Sequence, residues 1–345
     1  MQKNTQQFEF HGKAGEFFKI WIVNMMLSII TLGIYSAWAK VRTRKYFYNN
    51  TLLMNTPFDY LADPIKILKG RLIVLAIFLI YLFSELISPM VQGILLLLFI
   101  LSLPWVIIRA MIFNMYNSAY RNIRFHFSAK YLTALWVFLG LPFLVALSLG
   151  LAYPYFIKEQ KKFIIDHTTY GTSPFNMDAS VGSIYSIFFK MIGIFLLLAI
   201  LIGVVGVIAD DLGSYGEMLK NPATMGTPLI FVSLAIIPFY IFAVGYWHTN
   251  LINLIINHTT LQQSQLTSEL QTIKICWIFV SNTLAIIFSL GLLIPWAMIR
   301  TTKYRISCMS LITNSDPDAF IAAESEQAAA IGEEAGDFLD IDLGL

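Results

Sequence analysis

A chain of 345 residues would ordinarily fold as two or three soluble domains. Here 57% of the residues belong to the AVILMFWYC set, 13% are charged, and the mean hydropathy is +0.68. So few polar groups cannot cover such domains, so lipid must be the solvent for most of the chain, and soluble, disordered, collagenous and nucleic-acid-binding classes are excluded.

Charge is unevenly placed. Nine of the 21 acids lie in the last 33 residues, which contain no Lys or Arg, leaving 23 cations against 12 acids elsewhere. The chain thus reads as a polar N-terminal segment (1–16), a basic membrane body and an acidic, solvated C-terminal tail (313–345). The first segment has no short apolar core with a small-residue cleavage site, so the first hydrophobic run is expected to stay in the membrane. Cys276 and Cys308 have no CxxC partner, which argues against a disulfide framework or zinc site.

Seven apolar runs are long enough to cross about 30 Å of hydrocarbon, at about 17–39, 72–90, 92–113, 131–157, 184–209, 228–247 and 275–299. Ser88-Pro89 marks a turn between the second and third. Each run is expected to be helical, because backbone groups in lipid must pair within their own segment. The continuous runs lack period-2 alternation, which argues against a β-barrel. The expectation is an all-α polytopic bundle of seven transmembrane helices.

Internal repetition is the strongest signal. Without gaps, Phe8-Glu9-Phe10 aligns with Phe125-His126-Phe127, Thr31-Leu32-Gly33 with Ser148-Leu149-Gly150, and Pro57-Phe58 with Pro174-Phe175. In a third copy Asn24 meets Asn282, Leu32-Gly33 meets Leu290-Gly291, Trp38 meets Trp296, Arg42 meets Arg300, and Lys45-Tyr46 meets Lys303-Tyr304. The body divides into a three-span block at 17–124, a second at 125–265, and a seventh span with the repeat motif at 266–312. Three is odd, so the second block should be inverted, as in many secondary transporters. An outside N-terminus and inside C-terminus place fifteen Lys and Arg inside against six outside. The rival arrangement keeps similar sequences the same way up and makes the single-span units re-entrant, bent at Leu32-Gly33 and its equivalents.

The strings from Phe8 to Lys19, Thr31 to Arg42 and Gly332 to Leu345 resemble those of the bacterial inner-membrane family typified by YjgN. The resemblance covers nearly the whole chain. It implies a Gram-negative inner-membrane location and supplies no catalytic residues.

Candidate sites follow from polar and aromatic residues at the span ends. Trp38/Arg42, Trp105/Arg109 and Trp296/Arg300 share i,i+4 spacing, which suits interfacial anchoring or, as a cytoplasmic ring of cations, an anionic lipid headgroup or anionic solute. Asn24 and Asn282, within equivalent spans, suit helix–helix hydrogen bonds or a solute path, and are expected to meet or to face a common interior. The five histidines show no metal-ligand spacing, no phosphate-binding loop or nucleophile motif appears, and no cofactor is implied. The expected function is therefore non-enzymatic: a transporter or permease for a small or amphiphilic solute, by analogy with repeat folds, or alternatively an envelope scaffold or sensor of membrane state. Composition names no protein partner.

Overall fold

The computed structural model of the chain describes residues 4–211 and 226–313, with side chains described to 204 and from 236. The acidic tail beyond Thr313 lies outside the described residues.

Ten short strands alternate with five helical hairpins. The strands are β1 (Asn4–Phe10), β2 (Thr51–Leu53), β3 (Thr56–Tyr60), β4 (Ser118–Tyr120), β5 (Ile123–Phe127), β6 (Thr168–Tyr170), β7 (Ser173–Met177), β8 (Thr259–Leu261), β9 (Ser264–Ser268) and β10 (Met309–Thr313). They pair antiparallel in chain order, and β1 pairs with β10, so the sheet closes into a barrel. Two-residue turns join β2 to β3 and β4 to β5. Met54-Asn55 (φ 50° and 58°) and Arg121-Asn122 (φ 48° and 66°) supply the positive φ that type I′ hairpins require.

At the opposite end of the barrel each remaining strand pair is joined by a helical hairpin. Three hairpins are short: α1 (Ala14–Ile30) with α2 (Ser36–Asn49), α5 (Tyr131–Leu147) with α6 (Tyr153–Asp166), and α9 (Thr272–Phe288) with α10 (Ile294–Ser307). Two are long: α3 (Pro64–Ser84) with α4 (Pro89–Tyr116), and α7 (Val181–Asp211) with α8 (Gly226–Asn257). Each helix packs on the next, and α1 packs on α10, so the helices form a closed ring above the barrel. Apart from the cluster in the barrel lumen, the buried apolar clusters sit in the collar between the two, as where Tyr60 packs with Ala37, Val41, Ile67 and Phe113. Thr51, Ser118, Thr168 and Thr259 open β2, β4, β6 and β8, and each hydroxyl donates to the carbonyl four residues back, at 2.7–2.8 Å, closing the preceding helix.

This architecture corrects the sequence expectation. Only four helices among the described residues are long and apolar enough to cross a membrane, namely the arms of the two long hairpins. The runs 17–39, 131–157 and 275–299 are not single spans but hairpins folded back at mid-length. A barrel is present because strands of three to seven residues, too short to show alternation in the sequence, pair with their neighbours at the ends of helices. The molecule is mostly helical but not all-α. All five hairpins rise from the same end of one barrel, so the two blocks are not inverted. Because β1 pairs with β10, an outside N-terminal strand cannot coexist with an inside C-terminal one. The bends that the rival arrangement places at Leu32-Gly33 and its equivalents are present.

The three short hairpins turn in the same way. Thr31, Ser148 and Ser289 end their helices; Leu32, Leu149 and Leu290 follow at φ 50–51°, then Gly33, Gly150 and Gly291 at φ 89–92°. Gly33 N–H donates to Ser28 O at 2.7 Å and Leu32 N–H to Ile29 O at 3.1 Å, which is a Schellman closure with leucine in the left-handed position. The Thr31 hydroxyl accepts from Tyr35 N–H at 2.9 Å, as Ser148 accepts from Ala152 and Ser289 from Leu293. Every N–H from 31 to 36 thereby has a partner inside the turn. The same bonds recur at 148–153 and 289–294. The three leucines are 94–95% exposed.

Candidate functional site

Two features concentrate chemistry: the barrel lumen and the basic collar above it.

Five strand pairs present a repeating register. Phe8 lies opposite Leu53, Phe58 opposite Tyr120, Phe125 opposite Tyr170, Phe175 opposite Leu261, and Leu266 opposite Leu311. Strand side chains alternate between faces, so these ten point inward together while Glu9, Asp59, His126 and Asn176 point outward. All ten line a cavity of about 210 Å³, with Met54, Ser264, Met309 and Thr313 completing its wall. The turn residue Met54 and the residues flanking the turns place this cavity at the end of the barrel away from the helices.

The wall is asymmetric. Rings succeed one another from Phe8 to Phe58 (6.3 Å between centroids), Tyr120 (4.7 Å), Tyr170 (6.2 Å) and Phe125 (5.2 Å), and on from Phe125 to Phe175 (6.3 Å). The opposite side is aliphatic, made by Leu261, Leu266 and Leu311. The Tyr120 hydroxyl donates to Leu53 O at 2.7 Å and that of Tyr170 to Tyr120 O at 3.1 Å, so the phenols are satisfied by backbone and the cavity surface stays apolar. The next inward tier (Phe10, Tyr60, Phe127 and Met177) is buried against the helix roots. Arg44 donates to the Tyr60 hydroxyl at 2.9 Å and to Asn114 Oδ1 at 2.5 Å. Burial pushes the Tyr60 phenol above its ordinary value, and the guanidinium opposes that rise. An apolar pocket with few polar groups takes the apolar part of a ligand.

The residues singled out in the sequence all lie on the helical hairpins. Arg109 sits over the Trp105 ring (5.4 Å) and Arg300 over Trp296 (5.2 Å), the stacking expected of their spacing. Trp38 stacks instead on Tyr35 (6.1 Å), whose hydroxyl accepts from Arg42 at 2.8 Å. The three arginines belong to three hairpins, and each engages partners within its own. Asn24 and Asn282 are buried, and each turns to the returning arm of its own hairpin. Asn24 Nδ2 donates to Ala39 O at 3.5 Å; Asn282 Nδ2 donates to Ala297 O at 3.3 Å and to Thr301 Oγ1 at 3.0 Å. Sequence reasoning marked Phe8, Phe58, Phe125 and Phe175 as repeat landmarks but not as a lumen. Their recurrence was the usable signal, while their convergence depends on pairing between strands far apart in the chain.

No solved structure matches the chain. The inner membrane protein YjgN of Salmonella typhimurium is 34% identical over 144 residues, which are 41% of this chain and 36% of that protein. The Escherichia coli K12 protein of the same name is 28% identical over 156 residues, 44% of this chain and 38% of that protein. The match thus spans little more than a third of these relatives' length. Residues 5–338 match the family described as bacterial protein of unknown function, DUF898, and the chain belongs to that family.

Proposed function

We propose that the protein is a bacterial inner-membrane carrier or permease for a small amphiphilic solute, whose apolar part enters the barrel lumen. The observation that carries this reading is the ring of ten inward apolar side chains around a cavity of about 210 Å³ in the barrel lumen. The inverted-repeat analogy no longer contributes. The inner-membrane location is inferred from the names of the relatives and from four helices of sufficient length and hydropathy.

In this reading the long hairpins cross the bilayer and the short ones enter only the near leaflet. The first arm α1, of 17 residues, rises about 25 Å, and Lys40 follows Gly33 by seven residues, about 10 Å down the return arm. The cations Arg42, Arg44, Lys66, Lys69, Arg71, Arg109, Arg300 and Lys303 lie on the barrel half of their hairpins, whereas the described distal turns contain no Lys or Arg. By the positive-inside rule the barrel, with its terminal strands β1 and β10, faces the cytoplasm.

The test is photolabelling of the full chain in detergent with a diazirine-bearing alkyl carboxylate. Label is expected on peptides covering 51–58, 118–125 and 170–175. Leu261→Trp and Leu266→Trp, which fill the lumen from its aliphatic side, should remove that label and abolish flux of the same amphiphile in proteoliposomes. Label confined to the lipid-facing helices and indifferent to both substitutions would sink the proposal.

A further inference from the structure

The groove between α9 and α10 differs from its counterparts in the other short hairpins. Lys274, Trp277 and Ile278 share one face of α9, and Arg300, Lys303 and Tyr304 share one face of α10, each at i, i+3, i+4 spacing. Together they line a groove of about 520 Å³. Trp277 is 65% exposed and Ile273, beside it, 75%. Arg300 is held in position: its Nη1 donates to Ser281 Oγ at 2.6 Å and Asn282 Oδ1 at 3.0 Å, and Trp296 supports it from behind. Its other N–H groups are not used by these bonds. Among the described residues none of the three cations pairs with a carboxylate.

In α1–α2 the position of Lys274 is taken by Glu16 and that of Trp277 by Lys19. Glu16 bridges Lys13 at 3.5 Å and accepts from the Tyr46 hydroxyl at 3.4 Å, so that groove carries its own counter-charge. In α5–α6 the position of Arg300 is Glu159, paired with Lys158 at 2.9 Å. The α9–α10 groove therefore has three cations, no acid, and an exposed indole alongside.

We propose that this groove binds the headgroup of an anionic phospholipid. Phosphate oxygens are held by Lys274, Arg300 and Lys303, and the glycerol and upper acyl chain lie along Trp277 and Ile273. Lys274 is in the first turn of α9 and Lys303 near the end of α10, so the cations lie at the barrel end of the hairpin. That is headgroup level when the tip at Leu290 points into hydrocarbon, the orientation adopted in the proposed function. A free anion would need only the cations. The exposed Trp277 and Ile273 have a role only if the ligand brings an apolar portion.

The experiment uses the full chain in nanodiscs containing brominated phosphatidylglycerol or brominated phosphatidylcholine, with tryptophan quenching as readout. Subtraction of a Trp277→Phe variant isolates Trp277. The anionic lipid should quench Trp277 at the lower mole fraction, and Lys274→Gln or Lys303→Gln should each raise that fraction about fivefold. Lys45→Gln, the equivalent of Lys303 in the first hairpin, should leave it unchanged. Equal quenching by the two lipids, or indifference to both glutamine variants at unchanged elution and circular dichroism, overturns the site. Loss of the preference on adding inorganic phosphate, but not chloride of equal ionic strength, assigns the cations to a free anion and overturns the lipid.

Discussion

The short and long hairpins rise from the same barrel by the same strand connections and end at different depths. In α1–α2 the tip is Thr31-Leu32-Gly33, uncharged and with every N–H paired. In α3–α4 the chain runs on to Ser84 and Glu85, where Ser88 caps the returning helix by accepting from Met90 N–H at 3.2 Å and Pro89 starts it. A carboxylate belongs in water or headgroups; a leucine 95% exposed with no bare amide behind it belongs in hydrocarbon. In the proposed orientation, depth is therefore set by where the turn is made and what it exposes. It is not set by the length of the apolar run, since the run 17–39 is as long as a span.

A charge at the tips breaks this comparison most strongly. Leu32→Asp, Leu149→Asp or Leu290→Asp should each destabilise the membrane-inserted state by roughly 2–3 kcal/mol, whereas Leu86→Asp at the far end of α3–α4 should be nearly neutral. The yield of folded protein from membranes reads the difference. Equal tolerance would place the short tips in water. Cysteines at the same positions sharpen the result: an impermeant maleimide should modify Leu86→Cys from the periplasm and leave the three short-tip cysteines unmodified.

Next in size is the turn itself. Gly33→Ala, Gly150→Ala and Gly291→Ala place a side chain at φ 89–92° and should each destabilise by about 1–2 kcal/mol in thermal unfolding in detergent. Gly93→Ala, within α4, has open space and should be neutral or stabilising. Similar losses at all four glycines would show that the turn geometry does not hold the hairpins short.

The smallest effect concerns the arginines. Arg300→Lys loses contacts to Ser281, Asn282 and Trp296, and Arg109→Lys only its stacking on Trp105. Stacking at an exposed site contributes about 0.5–1 kcal/mol. The order of destabilisation in the same assay should be Arg300, then Arg109, with Arg42 least, since Arg42 is exposed and bonds only Tyr35. The reverse order would show that the buried Asn282 network does not support α9–α10.

Much of the local structure was legible. The gapless recurrence of Thr31-Leu32-Gly33, the Ser88-Pro89 turn and the i,i+4 aromatic–cation pairs all follow from short-range rules, and all mark real turns and helix faces. Family membership was legible for the same reason, in contiguous strings. The four long arms were found as runs because a span is one continuous apolar helix. What failed was counting: each of seven runs was given one crossing, and parity then forced an inversion and an N-terminus opposite the C-terminus.

Composition and repeat pattern thus determined that the chain is a membrane protein and that its units are copies, and marked Leu32-Gly33 and its equivalents as recurrent landmarks. Only the tertiary structure decided that the copies stand the same way up and that their aromatic lead-in residues meet in one lumen. The physical reason is the range of the interactions. A Schellman turn or a stacked Trp–Arg pair is settled within a few residues. Pairing of Asn4–Gln7 with Ser310–Thr313 closes the barrel across some 300 residues. Strands of three to seven residues have no alternation long enough to announce a pairing that exists only once all five hairpins stand around a common axis.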